Sequence, residues 1–221
     1  KNYWRKQIFP YYKANRKKNR DASEIDWAHV FDIFNRVKQE IKDNFPYRVI
    51  QVESAEADDV IATLVENSSE SVLILSGDKD FVQLQHKGTV KQYDPVRKKW
   101  ISHDDPKKYL FEHILKGDQG DGIPNILSDD DTFVMDNKRQ KPLTQKKIDV
   151  IYNDGVMMLD KSIDRNFMRN KQLVDLSMIP EHIRKDIMNK YEEEQGKDKS
   201  KLFNYFITYK LKNLMENIGD F

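Results

Sequence analysis

A nearly all-apolar run, Ser71-Val72-Leu73-Ile74-Leu75, restricts most strongly how this chain can fold. Such a run, ended here by Gly77-Asp78, is typical of a β-strand that is covered on both faces. The pattern from about Ala57 onward predicts a helix before it, and Arg48–Val52 reads as a short strand before that helix. This order predicts an α/β fold whose parallel sheet is flanked by helices, with right-handed crossovers.

Later segments add a mixed edge to the sheet and then a helical region. Val90–Tyr93 and Trp100-Ile101, joined through Asp94-Pro95, have the pattern of a β-hairpin. A helix is expected from Trp27 to about Ile41, and after Pro106 helices are expected near 106–115, 144–153, 181–193 and 200–217. We therefore expect an α/β core over residues 1–121 and a mostly helical region over 122–221.

The composition excludes several classes of protein. The chain has no cysteine, and its five histidines are scattered without the paired spacing of a zinc site. No apolar run is long enough to span a membrane and no signal peptide is visible, so we expect a cytoplasmic protein without membrane contact. Residues 1–20 hold eight basic side chains and no acidic one, although the net charge of the whole chain is only +1. Such separation of charge suggests that residues 1–20 bind a polyanion.

Three acidic clusters follow the basic segment. They are Glu56-Ala57-Asp58-Asp59, Gly77-Asp78-Lys79-Asp80 and Gly117-Asp118-Gln119-Gly120-Asp121-Gly122. Since the first two clusters follow expected strands, they should face each other at the carboxyl edge of the sheet. Carboxylates crowded in this way repel one another, and Mg²⁺ or Mn²⁺, which prefer oxygen ligands, would relieve the repulsion. Two such ions can activate water and stabilise the leaving oxygen of a phosphodiester.

Each cluster also has an ordinary structural interpretation. The acids of Glu56–Asp59 could cap the amino end of a helix, and Asp78 with Asp80 could form an Asx turn and a helix cap. The Gly117–Gly122 segment has the composition of a turn. The order of all three clusters behind a basic, aromatic segment favours a metal site.

The order of motifs resembles that of the 5′ nucleases, which include flap endonucleases and the 5′-nuclease domains of bacterial DNA polymerases. The matching elements are Glu-x-Asp-Asp at residue 56, Gly-Asp-x-Asp-Phe at residue 77 and Gly-Asp-x-x-Asp at residue 117. Tyr11-Tyr12-Lys13-Ala14-Asn15-Arg16 resembles the element at the base of the family's helical arch. Tyr3–Lys6 and Asn217–Phe221 look most similar to the T-even phage ribonuclease H branch. In this family the sheet begins with two strands that would lie before Lys1, so we expect the chain to be part of a longer protein.

The resemblance implies roles for particular residues. Two ions, Mg²⁺ or Mn²⁺, would be held by Glu56, Asp58, Asp78 and Asp80 and, at the second position, by Asp59, Asp118 and Asp121. Lys13 and Arg16 would contact the scissile phosphate as catalytic residues, and Tyr12 would stack on a terminal base. A helix-turn-helix-like element in the helical region would bind duplex backbone. Further nucleic-acid contacts are expected from Arg5, Lys6, Lys138, Arg139, Lys146 and Lys147.

The function implied is that of a metal-dependent 5′→3′ exonuclease and flap endonuclease, acting on RNA–DNA or DNA duplexes during primer removal. A monomer is expected, with a sliding clamp or a single-strand-binding protein as a partner in replication. Two alternatives stay open. One is a non-catalytic fragment that binds branched DNA, and the other is a related single-strand ribonuclease that uses clustered acids.

Overall fold

The fold is taken from a computed structural model, which describes residues 2–155, 160–194 and 198–221. Its regular elements in the first half are α1 (Arg5–Ile8), α2 (Ala14–Asp21), α3 (Trp27–Asn44), α4 (Ala57–Asn67), β1 (Val72–Leu75), a 3-10 helix (Lys79–Lys87), β2 (Val90–Asp94), β3 (Lys99–Ile101) and α5 (Pro106–Lys116). Those in the second half are α6 (Gln145–Asp154), α7 (Lys161–Val174), a 3-10 helix (Leu176–Met178), α8 (Glu181–Glu193), α9 (Leu202–Thr208), α10 (Lys212–Glu216) and a 3-10 helix (Ile218–Asp220).

The sheet of the described residues has three strands in the order β1-β2-β3. β1 and β2 are parallel, with Val72 opposite Val90, and β2 and β3 are antiparallel, with Tyr93 opposite Trp100. The short 3-10 helix Lys79–Lys87 makes the crossover between the parallel pair. The predicted α/β class, with a parallel sheet and a mixed edge, is confirmed.

Two local predictions about the sheet are wrong. Arg48–Val52 forms no strand; its backbone joins no ladder, and Val52 instead packs against the core beside α4. β1 is also covered on one face only, because Ile74 is buried while Leu73 and Leu75 on the other face are 52% and 64% exposed. The apolar run Val72–Leu75 therefore predicted a strand correctly but did not predict how many of its faces are buried.

The helices after the sheet follow the predicted order with two differences. The expected helix 200–217 is divided into α9 and α10 at Lys210, which has a positive φ of 55°. α7 was not predicted, because three of the buried positions on its inner face are the polar residues Asn166, Arg169 and Asn170. Residues 156–159, between α6 and α7, lie outside the described residues, so the helix-turn-helix-like element stays a prediction.

Buried side chains join the two halves of the chain. One cluster packs Trp4 and α4 against Ile183 and Ile187 of α8, and another packs Phe9 and Tyr12 against Leu173 and Val174 of α7. A third lies under α5 and α6, around Leu115 and Ile148. The division between 1–121 and 122–221 stays a prediction, and side chains from both sides of it share hydrophobic clusters. Among the helices of the described residues, none combines the length and the apolarity that a membrane span requires.

Candidate metal and phosphate site

Three short segments bring the acidic side chains together. Glu56 and Asp58 lie at the amino end of α4, and Asp78 and Asp80 lie directly after β1, where the Asp78 side chain caps the following 3-10 helix by accepting a hydrogen bond from the Asp80 N–H at 3.0 Å. Asp118 begins the loop after α5. Asp58, Asp80, Asp118 and Asp121 line one small cavity, and Asp58 also faces a wider crevice that is lined by Glu56 and Asp78. Six of the seven expected metal ligands therefore surround one region.

The loop that carries Asp118 and Asp121 is stabilised by hydrogen bonds within its own segment. Asp118 and Ile123 form an isolated antiparallel bridge, and the Asp118 side chain accepts a hydrogen bond from the Asp121 N–H at 3.0 Å. Gly117 has a positive φ of 67°, and a Cβ there would lie only 2.6 Å from the Pro124 carbonyl oxygen. Only glycine can begin this loop without moving it.

Burial and mutual repulsion weaken the acidity of two of these carboxyls. Burial, together with the charge of Asp78, raises the pKa of Asp58 to about 6. Burial also raises the pKa of Asp80 to about 7, since the opposing effect of His113 is outweighed by burial and by the charges of Asp78 and Asp118. A group of carboxyls that holds protons near neutral pH is a group that a divalent cation would stabilise.

His113 lies inside this cluster, although sequence reasoning passed over it. Its Nδ1 is 3.4 Å from Asp80 Oδ1, and its Nε2 is 3.6 Å from Asp118 Oδ2. Burial opposes protonation, but the proximity of Asp118 and Asp80 raises the pKa of His113 overall. The only signal in the sequence was its position one helical turn before Gly117, on the helix that leads into the third acidic motif.

Lys13 and Arg16 lie at the edge of the same cluster. Lys13 Nζ forms an ion pair with Glu56 and lies 3.4 Å from Asp121 Oδ2, while the Arg16 guanidinium pairs with Asp121. The Lys13 N–H also donates to the Asp121 carbonyl oxygen at 2.7 Å, and this bond fixes the segment against the loop. Burial alone would raise the pKa of Glu56, but the contacts with Lys13, Tyr12 and Arg5 lower it.

Asp59 does not fit the expected role of metal ligand. Its side chain is 0% exposed, and its oxygens accept hydrogen bonds from Trp4 Nε1 at 3.0 Å, from Arg5 Nη2 at 2.7 Å and from the Glu56 N–H at 2.9 Å. Because these donors use its lone pairs, the helix-capping interpretation is the correct one for Asp59.

Arg5 and Tyr12 do not fit the expected contacts with nucleic acid. Arg5 is only 2% exposed and forms buried ion pairs with Glu56 and Asp59. Tyr12 is buried as well, and its hydroxyl donates to Glu56 Oε2 at 2.7 Å, with Asp121 Oδ2 at 3.0 Å. Arg5 therefore holds Glu56 and Asp59 in place, and Tyr12 holds Glu56 and Asp121. Both side chains are too buried to contact a phosphate or to stack on a base.

Aromatic side chains that face the crevice come from Tyr3 and from α3. No residue of this helix is buried, and Phe31 and Phe34 line the same crevice as Lys6, Lys13 and Arg16. The remaining expected contacts are exposed and lie elsewhere: Lys138, which pairs with Asp129 and Asp131, Arg139 in the same segment, and Lys146 and Lys147 on α6.

Comparison with known proteins gives the family of the chain. Residues 1–112 match the family of the 5′-3′ exonuclease N-terminal resolvase-like domain, and residues 106–221 match the family described as T4 RNase H, C terminal. The chain is 32% identical to the ribonuclease H of Enterobacteria phage T4, over 99% of this chain and 75% of that protein. It is also 32% identical to the flap endonuclease Xni of Shewanella oneidensis, over 56% of this chain and 48% of that protein.

Solved structures give the same fold. The T5 D15 protein co-crystallised with metal ions has a TM-score of 0.65 at 18% identity, covering 89% of this chain and 83% of that one. The complex of the T5 D15 flap endonuclease with DNA and metal ions has a TM-score of 0.61 at 18% identity, covering 87% of this chain and 80% of that one. At this identity the likeness concerns the fold alone. Together with the matches over both halves of the sequence, it shows that the chain belongs to the 5′-3′ exonuclease family, with a resolvase-like amino-terminal domain and a carboxyl-terminal domain of the T4 RNase H type.

Proposed function

We propose that this chain is a metal-dependent 5′→3′ exonuclease and flap endonuclease that hydrolyses phosphodiester bonds near the 5′ end of RNA–DNA or DNA duplexes. The observation that carries the proposal is the meeting of carboxylates from three motifs with Lys13 and Arg16, across a small cavity and the wider crevice that share Asp58. A site for hydrolysis of a phosphodiester needs both features, since the carboxylates would hold cations and the basic side chains would hold the phosphate.

Two divalent ions, Mg²⁺ or Mn²⁺, would be held by these carboxylates. Asp58 and Asp78 would serve one position, with Glu56 beside them. Asp80, which was expected at that position, lines the small cavity with Asp118 and Asp121 and would serve the second position with them. The raised pKa values of Asp58 and Asp80 support this assignment, because burial and, to a lesser extent, the neighbouring carboxylates disfavour their charged forms and a bound cation would favour those forms. When bound, the ions would activate water and stabilise the charge on the reacting phosphate.

The chain's own basic groups would position the substrate. Lys13 and Arg16 now neutralise Glu56 and Asp121, and a phosphate at the mouth of the crevice would compete for the same two cations. Lys13 is held in the left-handed region of the backbone, with a φ of 57°, so its direction is set by the fold. Phe31 and Phe34 offer the faces on which an unpaired base could stack, the role first expected for Tyr12.

Binding of the duplex itself would fall to the helical region. Arg139, Lys146 and Lys147 are exposed there and could each contact a phosphate. A role in primer removal would place the protein in a bacterial cytoplasm, including that of a phage-infected cell, as a monomer beside a sliding clamp or a single-strand-binding protein.

Cleavage of a 5′-flap duplex labelled at both ends tests the proposal. With Mg²⁺ or Mn²⁺ the 221-residue chain should release 5′-terminal products that carry a 3′-hydroxyl, and with excess chelator it should release none. Asp58→Asn should abolish release, while Asp154→Asn, which alters an exposed acid on α6, should not. Tight binding of the flap without cleavage would favour the branched-DNA binder. Cleavage of single-stranded RNA with the flap left intact would favour the ribonuclease.

A further inference from the structure

His113 adds a nitrogen donor to the acidic cluster. One donor atom each from Asp80, His113 and Asp118 can be chosen so that all three lie within 4.8 Å of one another. Two ligand atoms that are each about 2.1 Å from one ion, at tetrahedral or octahedral angles, lie about 3.0–3.4 Å apart. The separation of 3.4 Å between His113 Nδ1 and Asp80 Oδ1 agrees with a shared ion.

The Nδ1 nitrogen of the ring faces Asp80 without forming a hydrogen bond to it. This atom is buried, it forms no hydrogen bond with any described residue, and Asp80 Oδ1 lies 3.4 Å away. A buried polar atom without a partner is costly, and the site that contains it needs an explanation. An ion between Nδ1 and Asp80 would satisfy the nitrogen and the carboxylate together.

The other ring nitrogen faces Asp118. Nε2 lies 3.6 Å from Asp118 Oδ2, so the carboxylate can orient the ring and favour a proton on Nε2, which leaves the Nδ1 lone pair for a metal. A carboxylate behind a metal-bound histidine is a common arrangement in protein metal sites, where it fixes the tautomer and the orientation of the ring.

We infer that His113 is a ligand for a divalent ion of the second position, which makes that position a mixed nitrogen and oxygen site. Imidazole is a ligand for first-row transition metals, of which Mn²⁺ binds such sites most weakly, whereas Mg²⁺ is held by oxygen ligands. The position between Asp80 and His113 Nδ1, with Asp118 behind the ring, therefore favours Mn²⁺ over Mg²⁺, and the Asp58 and Asp78 position does not. The role of the ion in hydrolysis rests on the proposed function, whereas His113 as its ligand rests on the distances to Asp80 and Asp118.

Pulsed electron paramagnetic resonance of bound Mn²⁺ tests the inference, because it detects a nitrogen nucleus in direct coordination. The protein with Mn²⁺ should show nitrogen modulation that changes when histidine is labelled with ¹⁵N. The modulation should be absent from His113→Gln and retained in His182→Gln, whose histidine is exposed on α8. The Mn²⁺ affinity of His113→Gln should fall by about tenfold or more, the scale seen when the surroundings of a metal are disturbed. Its Mg²⁺ affinity should change much less.

Bound Mn²⁺ without nitrogen modulation would overturn the inference and make His113 an ion-pair partner of the two aspartates. Since the labelling experiment uses the unchanged sequence, it holds even where His113→Gln fails to fold. Flap cleavage measured on the same samples separates the two ideas. If the protein cleaves the flap but its bound Mn²⁺ shows no nitrogen ligand, the proposed function holds and the inference about His113 is wrong. If Mn²⁺ has a nitrogen ligand but the flap is not cleaved, the inference about His113 holds and the proposed nuclease function is wrong.

Discussion

Arg5 and Asp59 form a buried ion pair, with Arg5 Nη2 2.7 Å from Asp59 Oδ1. The same guanidinium reaches Glu56 Oε2 at 3.0 Å, and its Nε–H donates to the Leu173 carbonyl oxygen at 2.9 Å. Arg5 therefore joins α1, the start of α4 and the end of α7 behind the carboxylate cluster. The most basic segment of the chain thus supplies a structural cation as well as surface charge.

Loss of the Arg5 side chain should destabilise the protein strongly. Arg5→Met leaves Asp59 buried without its partner, and breaking a buried ion pair in this way typically costs about 3–5 kcal/mol. Lys6→Met, next to it in α1, should change the free energy of unfolding by about 0.5 kcal/mol or less, as surface substitutions usually do. Urea unfolding of both variants gives the comparison. Equal midpoints for the two would mean that the pair contributes nothing to stability.

The neighbours Asp58 and Asp59 should separate metal binding from folding. Asp58→Asn removes a charge that its surroundings repel, so the metal-free protein should be as stable as the parent or more stable, while its affinity for Mn²⁺ falls. Asp59→Asn should lower stability, because Arg5 loses its carboxylate, and residual folded protein should still bind Mn²⁺. Thermal unfolding with chelator, combined with Mn²⁺ titration, measures both effects. If Asp58→Asn lost stability and Asp59→Asn lost Mn²⁺ affinity, Asp59 would be the metal ligand and Asp58 the structural residue.

The stability of the metal-free protein should fall as the pH rises from about 5 to about 8. The folded-state pKa values of Asp58, about 6, and Asp80, about 7, lie above the unfolded value of an aspartate. The folded protein therefore holds these protons more tightly, and this stabilisation is lost as the pH rises through the folded pKa values. His113, whose pKa is also raised, acts in the same direction. Glu56 and Asp118, with lowered pKa values, lose their contribution only at more acidic pH.

The effect is measured as the unfolding temperature in chelator at each pH. In the control variant Asp58→Asn/Asp80→Asn the unfolding temperature should fall less steeply with pH than in the parent. Mg²⁺ or Mn²⁺ should raise the unfolding temperature more at pH 8 than at pH 5, since ions compete with protons for the same carboxylates. A parent whose slope equals that of the double variant would show that these two groups do not titrate in this range.

Lys13→Ala should impair turnover more than binding. Lys13 is one of eight positive charges in residues 1–20, so its loss should change general attraction little. If it stabilises the charge on the scissile phosphate, its loss should lower the single-turnover rate by roughly 10²–10³, the cost of one electrostatic donor of this kind. The measurement is made at saturating enzyme and saturating metal, since Glu56 also loses its cation. A parental rate under these conditions would reduce Lys13 to a part of the basic surface.

The salt dependence of duplex binding should identify the phosphate contacts in the helical region. Lys146→Gln/Lys147→Gln should flatten the slope of log affinity against log salt by about two units, close to one for each contact. Arg139→Gln should remove about one further unit. Lys138→Gln should change the slope less, because Asp129, at 2.9 Å, and Asp131 already neutralise Lys138. If the salt dependence of the Lys146→Gln/Lys147→Gln variant equalled that of the parent, the duplex would bind at another surface.

The sequence predicted most reliably what depends on local pattern. α8 was placed at its observed bounds, and the β2–β3 hairpin was placed to within a residue at each strand, because periodicity and turn residues act within a few positions. The meeting of the first two acidic motifs was predicted from the order of strands and helices, although Arg48–Val52, the strand expected before the first motif, does not form. The third motif follows a helix, and only the family resemblance joined it to the other two. α7 was not predicted, because its buried residues include the polar Asn166, Arg169 and Asn170, which interrupt the apolar periodicity expected of a buried helical face.

Contacts between distant residues could not be read in the same way. Arg5 and Asp59 are 54 positions apart, and nothing in a basic segment marks one arginine as buried. His113 was set aside because a single histidine carries no ligand spacing of its own, and only the fold brings it between Asp80 and Asp118. Phe31 and Phe34 had the period of a buried helical face, and the fold leaves that face at the crevice.

The fixed loop after α5 has a consequence for how quickly an ion can be captured. Gly117 and the bridge between Asp118 and Ile123 hold the Asp118 and Asp121 carboxylates in place before any cation arrives. Little conformational entropy is then lost from the backbone when the ion binds, so the loop itself imposes no slow step. The rate at which an ion exchanges at this position would then depend on how readily the cation sheds its water, a step that is slow for Mg²⁺.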